Sequence, residues 1–256
     1  MKKILAFALA MTCYMSTAFA TVTNYQDWWW NPAASGMGIN IGQQEDTMFV
    51  TWYNYDDSGR ASYLLMVGQV QNNVLQGSLY RTSGNPPGPN FNPANSQSVA
   101  IGTGVISFTG NSTANFTYSY EGKNGVIPIQ RFTIAPVDIS GPWLYAAVAT
   151  ESGCTYPANN GTFYQTGSIS TSKLSATSYV MTLANSTSGS CAFTVNTSQS
   201  GSLLTGPATF TCSNGTRGTG TVLKMRKIDN FFNMEYTAKY TLGETCTEHG
   251  FASGVQ

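Results

Sequence analysis

The sequence predicts an all-β protein in which two consecutive antiparallel β barrels or sandwiches follow a cleaved signal peptide. Three observations carry this prediction. The chain opens with a positively charged start and a short apolar run. Strand-like runs bounded by Gly, Asn, Asp and Pro then recur about every ten residues, without a helical period. Every cysteine beyond the leader lies after residue 150, which divides the remaining chain into two unlike halves.

The leader predicts export. Lys2 and Lys3 precede an apolar run from Ile4 to Thr12 that is too short to span a bilayer. Ala18-Phe19-Ala20 places small residues where a signal peptidase reads, so we expect residues 1–20 to be removed. A lipid anchor on Cys13 is the alternative, but Ala10-Met11-Thr12 is a poor lipoprotein sequence. The predicted location is secreted or periplasmic, in a bacterium.

Charge excludes one class of partner. The whole chain has twelve basic and twelve acidic residues, and loss of Lys2 and Lys3 would leave ten basic residues. Only 9% of residues are charged, so the protein has no electrostatic footprint for nucleic acid. No later stretch reaches the ~20 apolar residues of a spanning helix. The remaining partner classes are an extracellular glycan, a small ligand or another protein, and no cofactor is predicted.

The first predicted domain covers residues 21–135. Asp56-Asp57-Ser58-Gly59 is typical of a hairpin turn, and four prolines between Ser83 and Pro93 predict a surface loop. The predicted strands are Gly38–Gln43, Thr47–Tyr55, Ala61–Val67, Val74–Tyr80, Val99–Phe108, Ala114–Glu121 and Val126–Ile134.

The second predicted domain covers residues 136–256 and begins after the break at Pro136. Four cysteines in an oxidising compartment predict two disulfides. If Phe193 faces Phe210 across two antiparallel strands, Cys191 faces Cys212, which leaves Cys154 to pair with Cys246. A zinc site is the alternative, but the chain has no C-x-x-C pair and a single histidine, so no metal is predicted.

Two sequence patterns resemble known families. The first pattern consists of Trp29-Trp30-Asn31-Pro32, Ser35-Gly36-Met37-Gly38, Thr51–Asp56 and Leu79–Gly84. It resembles an uncharacterised secreted bacterial β module that reads W-W-N-P-x-E-S-G-x-G, then T-W-F/Y-x-Y-D, then L-Y-R-T-x-G. This resemblance covers about residues 25–134 and implies a fold without an activity. Ala34 replaces the usual glutamate. Gly141-Pro142-Trp143 resembles the Gly-x-Trp opening strand of lipocalin- and avidin-like barrels, in which the tryptophan plugs one end.

Aromatic residues of the first domain are the predicted ligand-binding residues. Trp28 and Trp30 fall on one face of a strand and Trp29 on the other, so at least one ring is expected outside the core. An exposed ring can stack on a sugar or peptide. The alternative is a barrel plug with a packed hairpin. The predicted residues are Trp28, Trp29, Trp30, Trp52, Tyr53, Tyr55 and Arg81.

No catalytic residue is predicted. Ser35 lacks a G-x-S-x-G context, and Asp56-Asp57 forms a turn tip rather than two carboxylates that face each other across a cleft. His249 beside Glu248 is interpreted as a surface pair. The leading functional prediction is a non-catalytic binding module that recognises a glycan or other extracellular ligand. A structural or interaction protein that binds another protein is the alternative, and a hydrolase comes third.

Overall fold

The computed structural model describes residues 23–185, 189–241 and 245–256 and has an all-β fold of two consecutive barrels. The predicted signal peptide and the Cys13 anchor lie outside these residues. In the first barrel, the strands are β1 (Asp27–Trp30), β2 (Gly38–Gln44), β3 (Thr47–Tyr55), β4 (Ala61–Gln71), β5 (Val74–Ser83), β6 (Gln97–Phe108), β7 (Thr113–Tyr120) and β8 (Lys123–Arg131).

The first barrel closes because its short first strand pairs with both β2 and β8. Along β3, every second residue is buried, which is the pattern of a strand with one face towards a core. The Trp52 ring packs edge-on against Phe116, 4.9 Å between ring centroids. The described core is rich in large side chains, among them Trp29, Ile39, Met48, Leu64, Met66, Leu75 and Leu79.

The second barrel has the same meander of antiparallel strands. Its strands are β9 (Gly141–Ser152), β10 (Gly161–Lys173), β11 (Ser178–Asn185), β12 (Gly189–Asn196), β13 (Ser198–Ser200), β14 (Leu203–Cys212), β15 (Arg217–Ile228), β16 (Phe231–Tyr240) and β17 (Thr247–Val255). The consecutive strands β12 and β13 both pair with β14, and these pairings close the barrel.

Both barrels place a buried tryptophan at one end in the same way. The Trp29 indole donates to the carbonyl of Tyr25 at 3.0 Å, and the Trp143 indole donates to the carbonyl of Ile139 at 3.0 Å. Both bonds span four residues, so each opening strand is anchored to the segment just before it. Trp143 also packs edge-on against Phe232, 5.1 Å between centroids. This end of the second barrel is therefore filled.

The two barrels meet through these tryptophan ends. Asp27 accepts hydrogen bonds from the backbone and hydroxyl groups of Ser202, both at 2.9 Å. Arg226 donates to the carbonyls of Asn24 and Gln26. The opposite ends of both barrels consequently point away from the junction.

The strands of the first barrel match the sequence predictions in some elements and differ in others. Strand β3 has the predicted bounds, and the proline-rich segment after Ser83 forms no strand before β6. The predicted strand Val126–Ile134 was displaced by three residues, because Glu121 and Gly122 form a tight turn with positive φ and β8 begins directly after it. The predicted domain boundary after residue 135 falls between β8 and β9. Within the described parts of the chain, no helix has the length and hydrophobicity needed to cross a membrane.

Candidate functional site

The second barrel encloses a cavity of about 360 Å³. Its walls come from the inward-facing residues of strands on all sides of the barrel. Most of the lining is apolar, including Ile169, Met181, Leu183, Phe193, Val195, Phe210 and Met234. Alanine and glycine on neighbouring strands leave the space open, at Ala147, Ala208, Gly220 and Ala252.

A carboxylate lies inside this cavity, near the end opposite Trp143. Glu248 on β17 is only 6% exposed and faces inward. One carboxylate oxygen accepts a hydrogen bond from the Tyr236 hydroxyl at 2.6 Å, and the other accepts from the Tyr240 hydroxyl. Burial, and then the neighbouring Glu248, raises the pKa of both phenols above their usual range. Both tyrosines therefore stay protonated and act as donors at neutral pH.

A second carboxylate lies beside the first. Glu151 on β9 is directly opposite Glu248 in the β9–β17 pairing, so the two side chains share the inner face. Both residues line the cavity. Among the described residues, no lysine, arginine or histidine lines it. The charged part of the lining is thus negative.

One polar group in the cavity has no protein partner. Tyr145 is 5% exposed, and its hydroxyl makes no hydrogen bond to any described residue. Burial raises the pKa of this phenol. An unsatisfied buried hydroxyl costs about 1–3 kcal/mol.

Two disulfides reinforce the cavity wall. Cys191–Cys212 joins β12 to β14, and Cys154–Cys246 joins the segments after β9 and before β17. These are the two pairs that the sequence register favours. Glu151 lies within 4.8 Å of Cys154 and Cys246, but the bonded sulfurs are not thiolates and cannot bind a metal as thiolates do.

The predicted aromatic site divides between core and surface. Trp29 and Trp52 are 1% and 4% exposed and belong to the filled interior of the first barrel. They do not offer the accessible surface that the prediction of ligand contact requires. The physical reason is alternation, because Trp29 and Trp52 are flanked in sequence by outward-facing neighbours and face inward with the rest of the core.

The other predicted aromatic residues lie on the outer face of the first barrel. Trp28 is 40% exposed and stacks on Tyr53, 5.8 Å between centroids. Tyr55 is exposed as well, and Trp30 is partly buried against Phe132. These rings form an outer aromatic surface that does not connect with the cavity of the second barrel.

Arg81 lies apart from these rings, near the free end of the first barrel. Its guanidinium binds both oxygens of Glu121, at 2.5 and 2.9 Å. Asp56 lies at the same end and caps its own turn by accepting from Ser58 and Arg60. These bonds lower the pKa of Asp56. The charged groups there are committed to local pairs.

None of the predicted ligand-binding residues lines the cavity, although the predicted disulfide residues Cys191, Cys212 and Cys246 do. The interpretation of Glu248 and His249 as a surface pair was wrong, because Glu248 is buried. Glu248 and His249 point to opposite faces of β17, and His249 contacts Glu235 on the outside of the barrel. The sequence does contain a signal for the cavity. Glu248 shares one strand face with three small residues at every second position, Gly250, Ala252 and Gly254. A strand with small side chains on its inner face leaves space beside its one carboxylate.

Comparisons with known proteins add no functional assignment. No family model and no curated protein matches the chain. A solved structure of a "putative outer membrane protein" from Bacteroides fragilis NCTC 9343 is 16% identical, with a TM-score of 0.34, and covers 91% of this chain and 96% of that one. A DUF3598-family protein of unknown function from Nostoc punctiforme PCC 73102 is 12% identical, with a TM-score of 0.28, and covers 92% and 97% of the two chains. Similarities this low carry no argument about mechanism.

Proposed function

We propose that the protein is an extracytoplasmic, non-catalytic binding module whose second barrel holds a small amphipathic ligand. The observation that carries this proposal is the cavity of about 360 Å³ with an apolar wall and a few buried polar groups. Ligand sites in proteins typically measure about 300–1,000 Å³ and combine these same features. The first barrel has a filled interior, and it serves as the domain that packs against the binding barrel.

The location is inferred from the cysteines. Two disulfides staple the binding barrel. Disulfides form and persist in oxidising compartments, which agrees with the signal peptide predicted from the leader. The protein therefore binds its ligand outside the cytoplasm.

A binding role also fits the state of the polar groups. Asp56 caps a turn, and His249 lies outside the barrel, paired with Glu235. Neither residue reaches the cavity, so the acid and base candidates considered from the sequence are separate from the ligand site. Asp56 and His249 therefore give no support to a hydrolase function.

A matched pair of variants tests the ligand site. Ala208 faces the cavity and Thr209, the next residue on β14, is exposed on the outside. We expect a neutral fluorescent apolar probe, N-phenyl-1-naphthylamine, to bind the wild type and Thr209→Phe with equal affinity. Ala208→Phe should reduce its affinity at least about tenfold, because the added ring fills the space. Equal binding by all three proteins, or none, contradicts the proposal.

A second candidate function rests on the outer aromatic surface. Tyr63 is 48% exposed opposite Tyr53 in the β3–β4 pairing, close to the Trp28–Tyr53 stack. Exposed rings of this kind recognise glycan or protein surfaces, with about 1 kcal/mol per stacking contact. We expect Trp28→Ala to weaken binding to a glycan or protein partner of this surface about fivefold, the loss of one such contact. Tyr164→Ala, at an exposed ring of the second barrel, is the control.

A further inference from the structure

The charge of the cavity points to the kind of ligand it takes. Glu248 is buried, and both its oxygens accept from phenols rather than from a cation. A buried carboxylate that lacks a counter-charge is unfavourable, since burial removes water and two neutral donors replace only part of it. Glu151 adds a second carboxylate on the same inner face.

The cavity wall also contains a buried polar group without a protein partner. Tyr145 is only 5% exposed, and its hydroxyl has no hydrogen-bond partner among the described residues. It lies on the same strand and the same inner face as Glu151. A phenol oxygen accepts a hydrogen bond from an N–H group. A ligand that donates N–H groups and carries positive charge matches Glu248, the charged group of this wall.

We propose that the cavity binds a cationic amphiphile, an organic ammonium group attached to an apolar chain or ring. This inference rests on the proposed function, because it names the ligand class of the same site. The ammonium group would lie near Glu248, between the rings of Tyr236 and Tyr240 that can add cation–π attraction. The apolar part would pack against Met181, Phe193 and Phe210.

The same arrangement disfavours an anionic ligand. A fatty acid would bring its carboxylate into a space whose charged lining consists of Glu151 and Glu248. Like charges at short range repel, and the low polarity of the surroundings strengthens that repulsion. A neutral alcohol would gain only the apolar contacts and one hydrogen bond. The expected order of affinity is amine, then alcohol, then carboxylate.

Three ligands with the same ten-carbon chain test this order. Decylamine, 1-decanol and decanoate are titrated calorimetrically into the protein at neutral pH, below their aggregation concentrations. We expect decylamine to bind at least about tenfold more tightly than decanol, the ratio for one charge-assisted hydrogen bond. Decanoate should bind more weakly than decanol. Glu248→Gln should lower the affinity for decylamine at least about tenfold and change that for decanol less than about threefold.

Glu235→Gln is the matched control. Glu235 lies on β16 and contacts Lys224 and His249 on the outside of the same barrel. This variant should bind all three ligands as the wild type does. Tighter or equal binding of decanol or decanoate to the wild type overturns the cationic preference and leaves the binding function standing. Binding of none of the three overturns both, and the wild-type comparison decides even if Glu248→Gln fails to fold.

Discussion

At the scale of single residues, the most demanding position is the buried ion pair at the junction of the barrels. The Arg131 and Asp27 side chains are 1% and 9% exposed, and their charged atoms are 2.8 Å apart. Burial lowers the pKa of Arg131, while Asp27 opposes that shift. Arg131 also donates to the carbonyls of Asn111 and Asn24. The pair therefore ties the last strand of the first barrel to its first.

Neutralising Asp27 should be costly. Asp27→Asn leaves the Arg131 charge buried without its anion, and we expect the free energy of unfolding to fall by about 3–5 kcal/mol. Asp57→Asn is the same chemical change in an ion pair with Lys123 whose Asp57 is 82% exposed. Its expected cost is below about 1 kcal/mol. Urea denaturation compares the stability of the two variants. Equal losses of unfolding free energy would mean that burial does not determine how much an ion pair contributes to stability.

The sequence reveals which residue types are present but not which aromatic rings the barrel encloses. Trp28 and Trp29 are adjacent and chemically identical, yet one is exposed and the other is buried. Alternation correctly predicts that they differ, without deciding which one faces inward. That choice depends on closure of β1 against both β2 and β8, a contact between chain segments about a hundred residues apart.

At the scale of strands, the two barrels differ in the size of the side chains on their inner faces. The inner face of β17 carries Gly250, Ala252 and Gly254. A Cβ atom at Gly250 would lie 2.5 Å from the Tyr236 ring, so the absence of a side chain there makes room for the phenol that holds Glu248. Period and turns predicted the bounds of some strands, such as β3, but not those of β8. They could not predict the cavity, because its volume depends on small residues from several strands that meet only in the closed barrel.

The two disulfides should differ in their contribution to stability. Cys191–Cys212 spans 21 residues of sequence and Cys154–Cys246 spans 92. A disulfide stabilises a protein by restricting its unfolded chain, and this stabilisation grows with loop length. It is about 3 kcal/mol for the shorter loop and about 4–5 kcal/mol for the longer one. We expect the double serine variant at Cys154 and Cys246 to unfold at lower urea concentration than that at Cys191 and Cys212. The reverse order would contradict the loop-length argument.

At the scale of the whole molecule, the tryptophan ends meet and the cavity end of the second barrel points away from the junction. Gly201 lies between the barrels with φ of +61°, and its amide donates to Thr133. A Cβ atom there would lie 2.4 Å from an Asp27 carboxylate oxygen. The junction therefore depends on close approach of a turn of one barrel to the buried ion pair of the other.

Gly201→Ala should loosen this junction. The substitution adds the strain of a positive φ, about 1–2 kcal/mol, and a clash with Asp27. Gly122→Ala is the control, since Gly122 has φ of +77° and a Cβ atom added there would have no other atom within 4 Å. We expect small-angle X-ray scattering to show a larger radius of gyration for Gly201→Ala only. An unchanged radius in both variants would show that the turn adapts without separating the barrels.

The proposed function requires that the second barrel, and not the first, holds a small ligand in its interior. Methionine methyl groups report on both interiors, with Met181 and Met234 lining the cavity and Met48 and Met66 in the filled core of the first barrel. The decisive experiment is a titration of ¹³C-methyl-methionine protein with decylamine, followed by NMR. We expect saturable shifts of the Met181 and Met234 signals, with those of Met48 and Met66 unchanged. Shifts confined to Met48 and Met66, or none at saturating ligand, would show that the second barrel is not the ligand site.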